Sequence, residues 1–211
     1  MEVIDKQVEM LQGGLIEYSQ SPWVSNVVIA KKKDGSTRFC LEYRRLNDAT
    51  QTDAHPLPRI ETCLDALGGS KFLSTFDLMS GYDQVRMDPA DVDKRSFVTR
   101  KGTFRVKALP FGLTNAGATL QRVMDVAMAG LNFTICLIYL DDIKMFSLAD
   151  RYHLDRLECL LPSLRKAHLK LKPSKCSLLR SDVSFLGHVV SANGIATDPD
   201  QMKTVLEWPV S

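Results

Sequence analysis

The chain has 211 residues, enough for one domain or for two small subdomains sharing a core. Its 45% hydrophobic and 25% charged content is that of an ordinary globular protein, and a formal net charge of +2 argues neither for nor against nucleic acid. No apolar stretch approaches the ~20 residues of a membrane span, the N-terminus is acidic and amphipathic and so not a signal peptide, and Cys40, Cys63, Cys136, Cys159 and Cys176 show no C-x-x-C spacing that would suggest zinc or a disulfide framework.

Ile4, Val8, Leu11 and Leu15 fall at helical spacing, so a first helix is predicted over about residues 2–12, stopped by Gly13-Gly14. Residues 23–40 read as a β-hairpin with its turn at Asp34-Gly35. Residues 48–58, with Pro56 and Pro58, read as a loop; Ile60, Leu64 and Leu67 define a short helix ended by Gly68-Gly69. A strand is expected over 72–77. A strand pair follows within 85–110, with Phe97, Val98, Phe104 and Val106 facing inward. Asn115 is expected to cap a helix running to about Met128, with Leu120, Val123, Met124 and Ala127 on one face. A hairpin spans 133–147. Leu154, Leu157, Leu161 and Leu164 mark a helix that Pro162 should kink. Val183 to Val190 reads as a last strand, and Gly194 as the start of a polar exit.

From Phe72 onward the order strand, helix, strand, strand, helix, strand is that of a ferredoxin-like split βαβ fold. In such a sheet the end of the first strand, Asp77, lies beside the hairpin turn at Asp141-Asp142. Three carboxylates at strand ends suit two magnesium ions, which are hard and prefer oxygen ligands. The rival reading of Asp141-Asp142 is a solvated turn, because aspartate is common in turns. Gly81 would allow close backbone approach to a ligand, and Tyr82 beside it is either a platform for a sugar ring or a half-buried core aromatic. Lys31, Lys32, Lys33 and Arg38 flank a hairpin tip that could clamp a triphosphate or simply protect an edge strand. Lys166, Lys170, Lys172 and Lys175 could follow a phosphate backbone or solvate a helix end. Leu109-Pro110-Phe111-Gly112-Leu113 says only that a tight turn precedes a helix.

Taken together, KKKDGSTRFCLEYRRLN (31–47), PLPRIETCLDALGGSKFLSTFDLMSGYDQV (56–85), RSFVTRKGTFRVKALPFGLTNAGATLQRVMD (95–125), YLDDIKMFS (139–147), HLKLKPSKC (168–176) and FLGHVVSANGI (185–195) carry a resemblance. In order and spacing the sequence resembles the reverse transcriptase domain of Ty3/gypsy-type long-terminal-repeat retrotransposons. The resemblance covers nearly the whole chain. It implies an α+β right-hand polymerase fold: fingers at 1–51 and 86–115, a ferredoxin-like palm at 52–85 and 116–195, and a thumb root at 196–211. It implies an RNA-directed DNA polymerase that extends a primer 3′-hydroxyl with deoxynucleoside triphosphates on an RNA or DNA template, using two Mg²⁺ ions (or Mn²⁺). Asp77, Asp141 and Asp142 would be the metal ligands. Tyr82 would be a steric gate against the 2′-hydroxyl, and Lys32 and Arg38 a triphosphate clamp. Phe111 and Gly112 would form part of the nucleotide pocket floor, and Gln121 and Gly117 would contact nucleotide or template. Leu140 would face the primer end, and Leu186-Gly187-His188 would form a primer grip.

The resemblance further implies an intracellular polyprotein in which RNase H and integrase accompany this region, with a cytoplasmic virus-like particle as its setting and no membrane partner. The chain is short for the family, and Met1 falls partway into the fingers, as in a polyprotein fragment or a truncated gene. The family usually has proline at Asn26 and Gly117, an apolar residue at Lys144, an aromatic at Asp83, and an uninterrupted helix at Pro162. These departures suggest a diverging copy, and the alternative to an active polymerase is a catalytically inactive, nucleic-acid-binding relic.

Overall fold

The computed structural model describes residues 2–31, 35 and 37–199. In chain order the elements begin with α1 (Glu2–Gln12), β1 (Ile16–Tyr18), β2 (Val27–Lys31), β3 (Thr37–Leu41), α2 (Arg44–Asp48) and α3 (Ile60–Leu67). There follow β4 (Phe72–Asp77), β5 (Ser96–Thr99), β6 (Gly102–Val106), α4 (Ala116–Ala127), β7 (Cys136–Tyr139) and β8 (Asp142–Ser147). α5 (Asp150–Lys166), β9 (Ser177–Arg180), β10 (Asp182–Phe185), β11 (His188–Ser191) and β12 (Gly194–Thr197) complete the series. Among the described residues no helix is long and apolar enough to cross a membrane. The chain forms two compact units, one of residues up to 55 with 80–120, the other of 56–79 with those from 121 onward.

The first unit holds the antiparallel sheet β1-β6-β5 and the hairpin β2-β3. Its core is Ile16, Phe97, Phe104 and Val106, with Met10, Leu11, Val27, Phe39 and Leu41 against it. Val98 does not face inward as predicted; it is 42% exposed while Phe97 beside it is fully buried. Strand residues alternate between faces, so Phe97 and Val98 cannot share one. α1 forms where its periodicity predicts, but it is rolled: Val8 is exposed and Gln7 is buried. The helix ends at Gly13-Gly14, where Gly14 takes a φ of +67 that a side chain would resist. Asn115 stands at the start of α4 as predicted, its carbonyl accepting from the Thr119 amide. Its side-chain oxygen accepts from the Asp53 backbone and its amide donates to the Gln51 carbonyl, tying the 51–53 loop to the start of α4.

The second unit is built on the sheet β7-β8-β4-β9, antiparallel throughout. In chain order these strands are second, third, first and fourth, the arrangement of the ferredoxin-like palm. The fourth strand differs from the sequence reading: it is β9, and Val183 to Val190 is not one strand. That stretch is the hairpin β10-β11, bent at Leu186-Gly187, which have φ of 47 and 84. Two successive positive φ values make a tight turn whose twist matches the strands it joins. Gly194 opens β12 rather than an exit. One sheet face buries Leu73 and Leu137 with Cys63, Leu64, Leu67, Val183, Phe185 and Val190.

α5 covers part of the opposite face, but not through the leucine stripe expected. Leu154 and Leu161 are exposed, while His153, Leu160 and Leu164 are buried. The inward face runs 153, 156, 157, 160, 164, so Leu157 and Leu164 stay on it while Leu154 and Leu161 leave it. Pro162 lies on the exposed side, and the helix continues past it to Lys166.

His153 explains the roll. It is fully buried, with Nε2 2.7 Å from Ser74 Oγ and Nδ1 2.9 Å from Ser147 Oγ. Ser147 Oγ donates its proton to the Ala149 carbonyl, so it accepts from Nδ1–H. Ser74 Oγ accepts from the Leu179 amide and donates to Nε2. A neutral imidazole thus satisfies a chain of bonds joining β4, β8, α5 and β9. Burial, helped by the Arg156 charge, pulls the His153 pKa below its ordinary 6.5. The unfolded chain therefore takes up a proton that the folded chain refuses. This stabilising contribution is complete above about pH 6.5 and is lost as pH falls toward the depressed folded value. Urea unfolding midpoints should drop between pH 7.5 and pH 5 in the natural chain and drop less in His153→Leu; equal slopes would remove His153 as the cause.

Candidate active site

Six residue pairs align β4 with β8, from Phe72↔Ser147 to Asp77↔Asp142. On its other side β8 pairs with β7, ending at Tyr139↔Asp142, so Leu140-Asp141 is a two-residue loop. The Leu78 amide donates to the Asp141 carbonyl at 3.1 Å. These backbone bonds bring Asp77, Asp141 and Asp142 to one end of the sheet.

The loop is strained. Leu140 has a φ of 56, a left-handed conformation costing a residue with a side chain about 1–2 kcal/mol. Gln121, one helix away on α4, holds it there. Its Oε1 accepts from the Leu140 amide at 2.8 Å, and its Nε2 donates to Asp125 Oδ1 at 3.0 Å and to the Ile138 carbonyl at 3.4 Å. Gln121 is fully buried with both ends of its amide engaged. Its side chain thus faces the loop.

Two lysines hold two of the three carboxylates. Lys144 Nζ lies 2.9 Å from Asp142 Oδ1, and Lys175 Nζ lies 3.0 Å from Asp77 Oδ2. The pairs differ in kind, since the Lys144 side chain is 5% exposed and that of Lys175 is 55% exposed. Burial raises the Asp142 pKa above its ordinary value. The lysine beside it opposes the rise, and the neighbouring negative charges of Asp141 and Asp77 add to it. Three carboxylates crowded at adjacent strand ends are the donor chemistry of a hard divalent ion. As they stand, though, no group of three or more acidic, histidine or cysteine side chains among the described residues is gathered into a metal cage.

Sequence reasoning grouped Lys175 with a backbone-tracking cluster and treated Lys144 only as an odd residue in a strand. Spacing carried the missed signal. Residues two apart on a strand share a face, so Lys144 had to lie on the side of Asp142.

The first unit gathers three of the residues assigned to nucleotide. Tyr82 and Phe111 meet edge to face, ring centroids 5.9 Å apart, and the Arg38 guanidinium lies 5.7 Å from the Phe111 ring centre. Phe111 is 65% exposed, a large aromatic facing solvent. The loop carrying it is pinned by Asn47, which donates to the Gly112 carbonyl and accepts from the Thr114 amide, both at 2.9 Å. Gly112 has a φ of +99, which accounts for glycine there. Gly81 is buried, and the left-handed residue beside it is Ser80. Gly117 is half-buried on the first turn of α4. In the second unit Leu186-Gly187 is the β10-β11 turn, and His188 Nδ1 bonds the Leu186 carbonyl at 3.1 Å. Lys32 lies outside the described residues.

Residues 29–190 match the family model described as reverse transcriptase (RNA-dependent DNA polymerase). The chain is 38% identical, over all of its length, to the retrovirus-related Pol polyprotein from transposon 297 of Drosophila melanogaster. It is 33% identical, over 95% of its length, to that from transposon gypsy of the same organism. It spans 20% of the length of each of these relatives. Among solved structures, the foamy viral protease-reverse transcriptase in complex with RNA/DNA hybrid superposes with a TM-score of 0.89 at 21% identity, over 100% of this chain and 28% of that one. The fold is accordingly the α+β polymerase fold of retroviral reverse transcriptases. With a family match over most of its residues and transposon relatives along its full length, the chain belongs to the reverse transcriptase family, in the branch of Ty3/gypsy-type Pol polyproteins.

Proposed function

We propose that this chain is the polymerase portion of a retrotransposon Pol polyprotein and joins deoxynucleotides to a primer 3′-hydroxyl. The observation that carries the reading is the Asp77↔Asp142 register, which sets carboxylates from two distant stretches at one sheet end. Asp77, Asp141 and Asp142 would hold two Mg²⁺ ions. When bound, such ions supply charge neutralisation of the attacking and leaving oxygens of an in-line displacement. The protein's contribution is positioning. The Gln121–Leu140 bond fixes the loop so that the carboxylates keep their place, which makes Gln121 a positioning residue, and Leu140 would face the primer end.

Arg38, with Lys32, would pair with phosphate oxygens of the deoxynucleoside triphosphate, and the exposed Phe111 and Gly112 would form part of its pocket floor. Tyr82, braced by Phe111, would leave no room for a 2′-hydroxyl. Gly117 would lie near template, and Leu186-Gly187-His188 would steady the primer. The foamy viral relative is described in complex with RNA/DNA hybrid and with double-stranded DNA, which supports a primer on an RNA or DNA template as partner here. On this reading residues 1–51 and 86–115 are fingers, 52–85 and 116–195 are palm, and 196–211 begin a thumb. RNase H and integrase would accompany the chain in an intact element, inside a cytoplasmic virus-like particle.

One observation favours a second reading, an inactive nucleic-acid-binding relic: a buried lysine occupies Asp142. Primer extension and gel-shift assays on the same primed template, with the chain carrying its thumb, separate the two. Binding without extension supports the relic. If extension is seen, Asp141→Asn should reduce it by at least about 10³-fold, the scale of losing key electrostatic stabilisation; undiminished extension would remove the pair from the mechanism. Tyr82→Val should raise ribonucleotide incorporation by about 10-fold or more, as expected when a steric exclusion is relaxed. An unchanged ratio of ribo- to deoxynucleotide would undo the gate.

A further inference from the structure

Lys144 is a buried cation at the acidic end of the sheet, and its placement follows from the pleat. It lies two residues beyond Asp142 on β8 and opposite Thr75 on β4 and Leu137 on β7. That face is the one packed with Leu73, Leu137, Phe146 and Phe185. Its side chain is 5% exposed, and its ammonium stays buried beside Asp142. There Nζ reaches Asp142 Oδ1 at 2.9 Å and Thr75 Oγ1 at 3.4 Å, and it lies 5.7 Å from the centre of the Phe185 ring. A buried ammonium deprived of its partner pays a large desolvation penalty, so Lys144 cannot simply let go. Lys175 is different. More than half of its side chain is exposed, so it can leave Asp77 for water when a better cation arrives.

We propose that Lys144 is a resident counter-ion that competes with divalent metal for Asp142, so that the acidic site binds metal more weakly than its three carboxylates would without it. The inference rests on the reading of Asp77, Asp141 and Asp142 as a metal site. One oxygen of Asp142 is already committed to a cation that has nowhere else to go. A metal ion approaching that carboxylate must either share it with an ammonium, against charge repulsion, or push the ammonium back into apolar packing. Both routes weaken binding without abolishing it. The geometry agrees: Asp142 is turned to Lys144.

The test is Mn²⁺ binding to the whole chain, without nucleic acid or nucleotide, read from the free-ion electron paramagnetic resonance signal. Lys144→Gln and Lys144→Met should each bind Mn²⁺ about 10-fold more tightly than the natural chain, the scale on which groups behind metal ligands tune affinity. Lys144→Gln keeps a donor for Asp142 and decides the matter if Lys144→Met does not fold, as judged by circular dichroism. Asp142→Asn should cost more affinity when made together with Lys144→Gln than when made alone. Unchanged or weaker binding in the folded Lys144 variants, or additive effects of the two substitutions, would overturn the proposal. Asp141→Asn is the separate control. If it leaves Mn²⁺ binding intact, or if neither the natural chain nor its Lys144 variants bind Mn²⁺, the acidic-site reading itself fails and the proposal falls with it.

Discussion

The structure depends on the register between β4 and β8. Side chains alternate along a strand, so a slip of one residue would carry Asp77 to the opposite face and exchange the side chains packed on the two faces of the sheet. The slip is resisted from both faces. Leu73 and Leu137 are fully buried on one, and on the other Ser74 and Ser147 are locked to His153. The polar network and the apolar cluster thus specify the same alignment independently. The charges of the acidic side chains repel one another and do not favour it. They are carried to the sheet end by groups that have no part in chemistry.

The loop at that end shows how the fold tolerates what it does not favour. A glycine at Leu140 would relieve the backbone, yet leucine stands there in a left-handed conformation. Strain of this kind persists where surrounding bonds over-determine it. Here a fully buried glutamine accepts from the strained residue's own amide and is itself held by Asp125 and the Ile138 carbonyl. Fixing the loop through a buried amide also fixes the directions in which Asp141 and Asp142 leave the backbone.

What could be read from the sequence follows from how local each signal is. Strand β4, the hairpin β7-β8 and helices α1, α3 and α4 were legible because each carries its own periodicity and its own stop signal. The acidic trio was legible because two carboxylates interrupt an apolar hairpin and a third ends a strand. The errors arose where distant partners decide. The buried face of α5 is set by His153 bonding to two serines from strands, so leucine spacing alone misplaced Leu154 and Leu161. Val183 to Val190 is apolar almost throughout, and a two-residue turn inside it has only Gly187 as its signature. Gln121 carried no mark of burial, because the amide that it satisfies belongs to a loop nineteen residues away. The cluster of Arg38, Tyr82 and Phe111 has three members from separate segments, and only a resemblance could join them in advance.

If the acidic end of the sheet holds metal as proposed, Lys144 links stability to metal binding. Without a cation, three neighbouring carboxylates repel, and burial raises the cost of keeping Asp142 ionised. A fixed ammonium relieves that cost in the metal-free protein. A ligand stabilises a fold in proportion to its preference for the folded site, and a group that already neutralises the site reduces what the ligand can add. On that reading a lysine that makes the sheet end comfortable without metal would also make metal less welcome. In a chain with an apolar residue at this position the repulsion would remain until ions arrived, and the whole of its relief would appear as metal affinity. The same lysine that looks like a blemish in an apolar strand would then be, in charge terms, a transfer of stabilisation from the metal-bound state to the metal-free one.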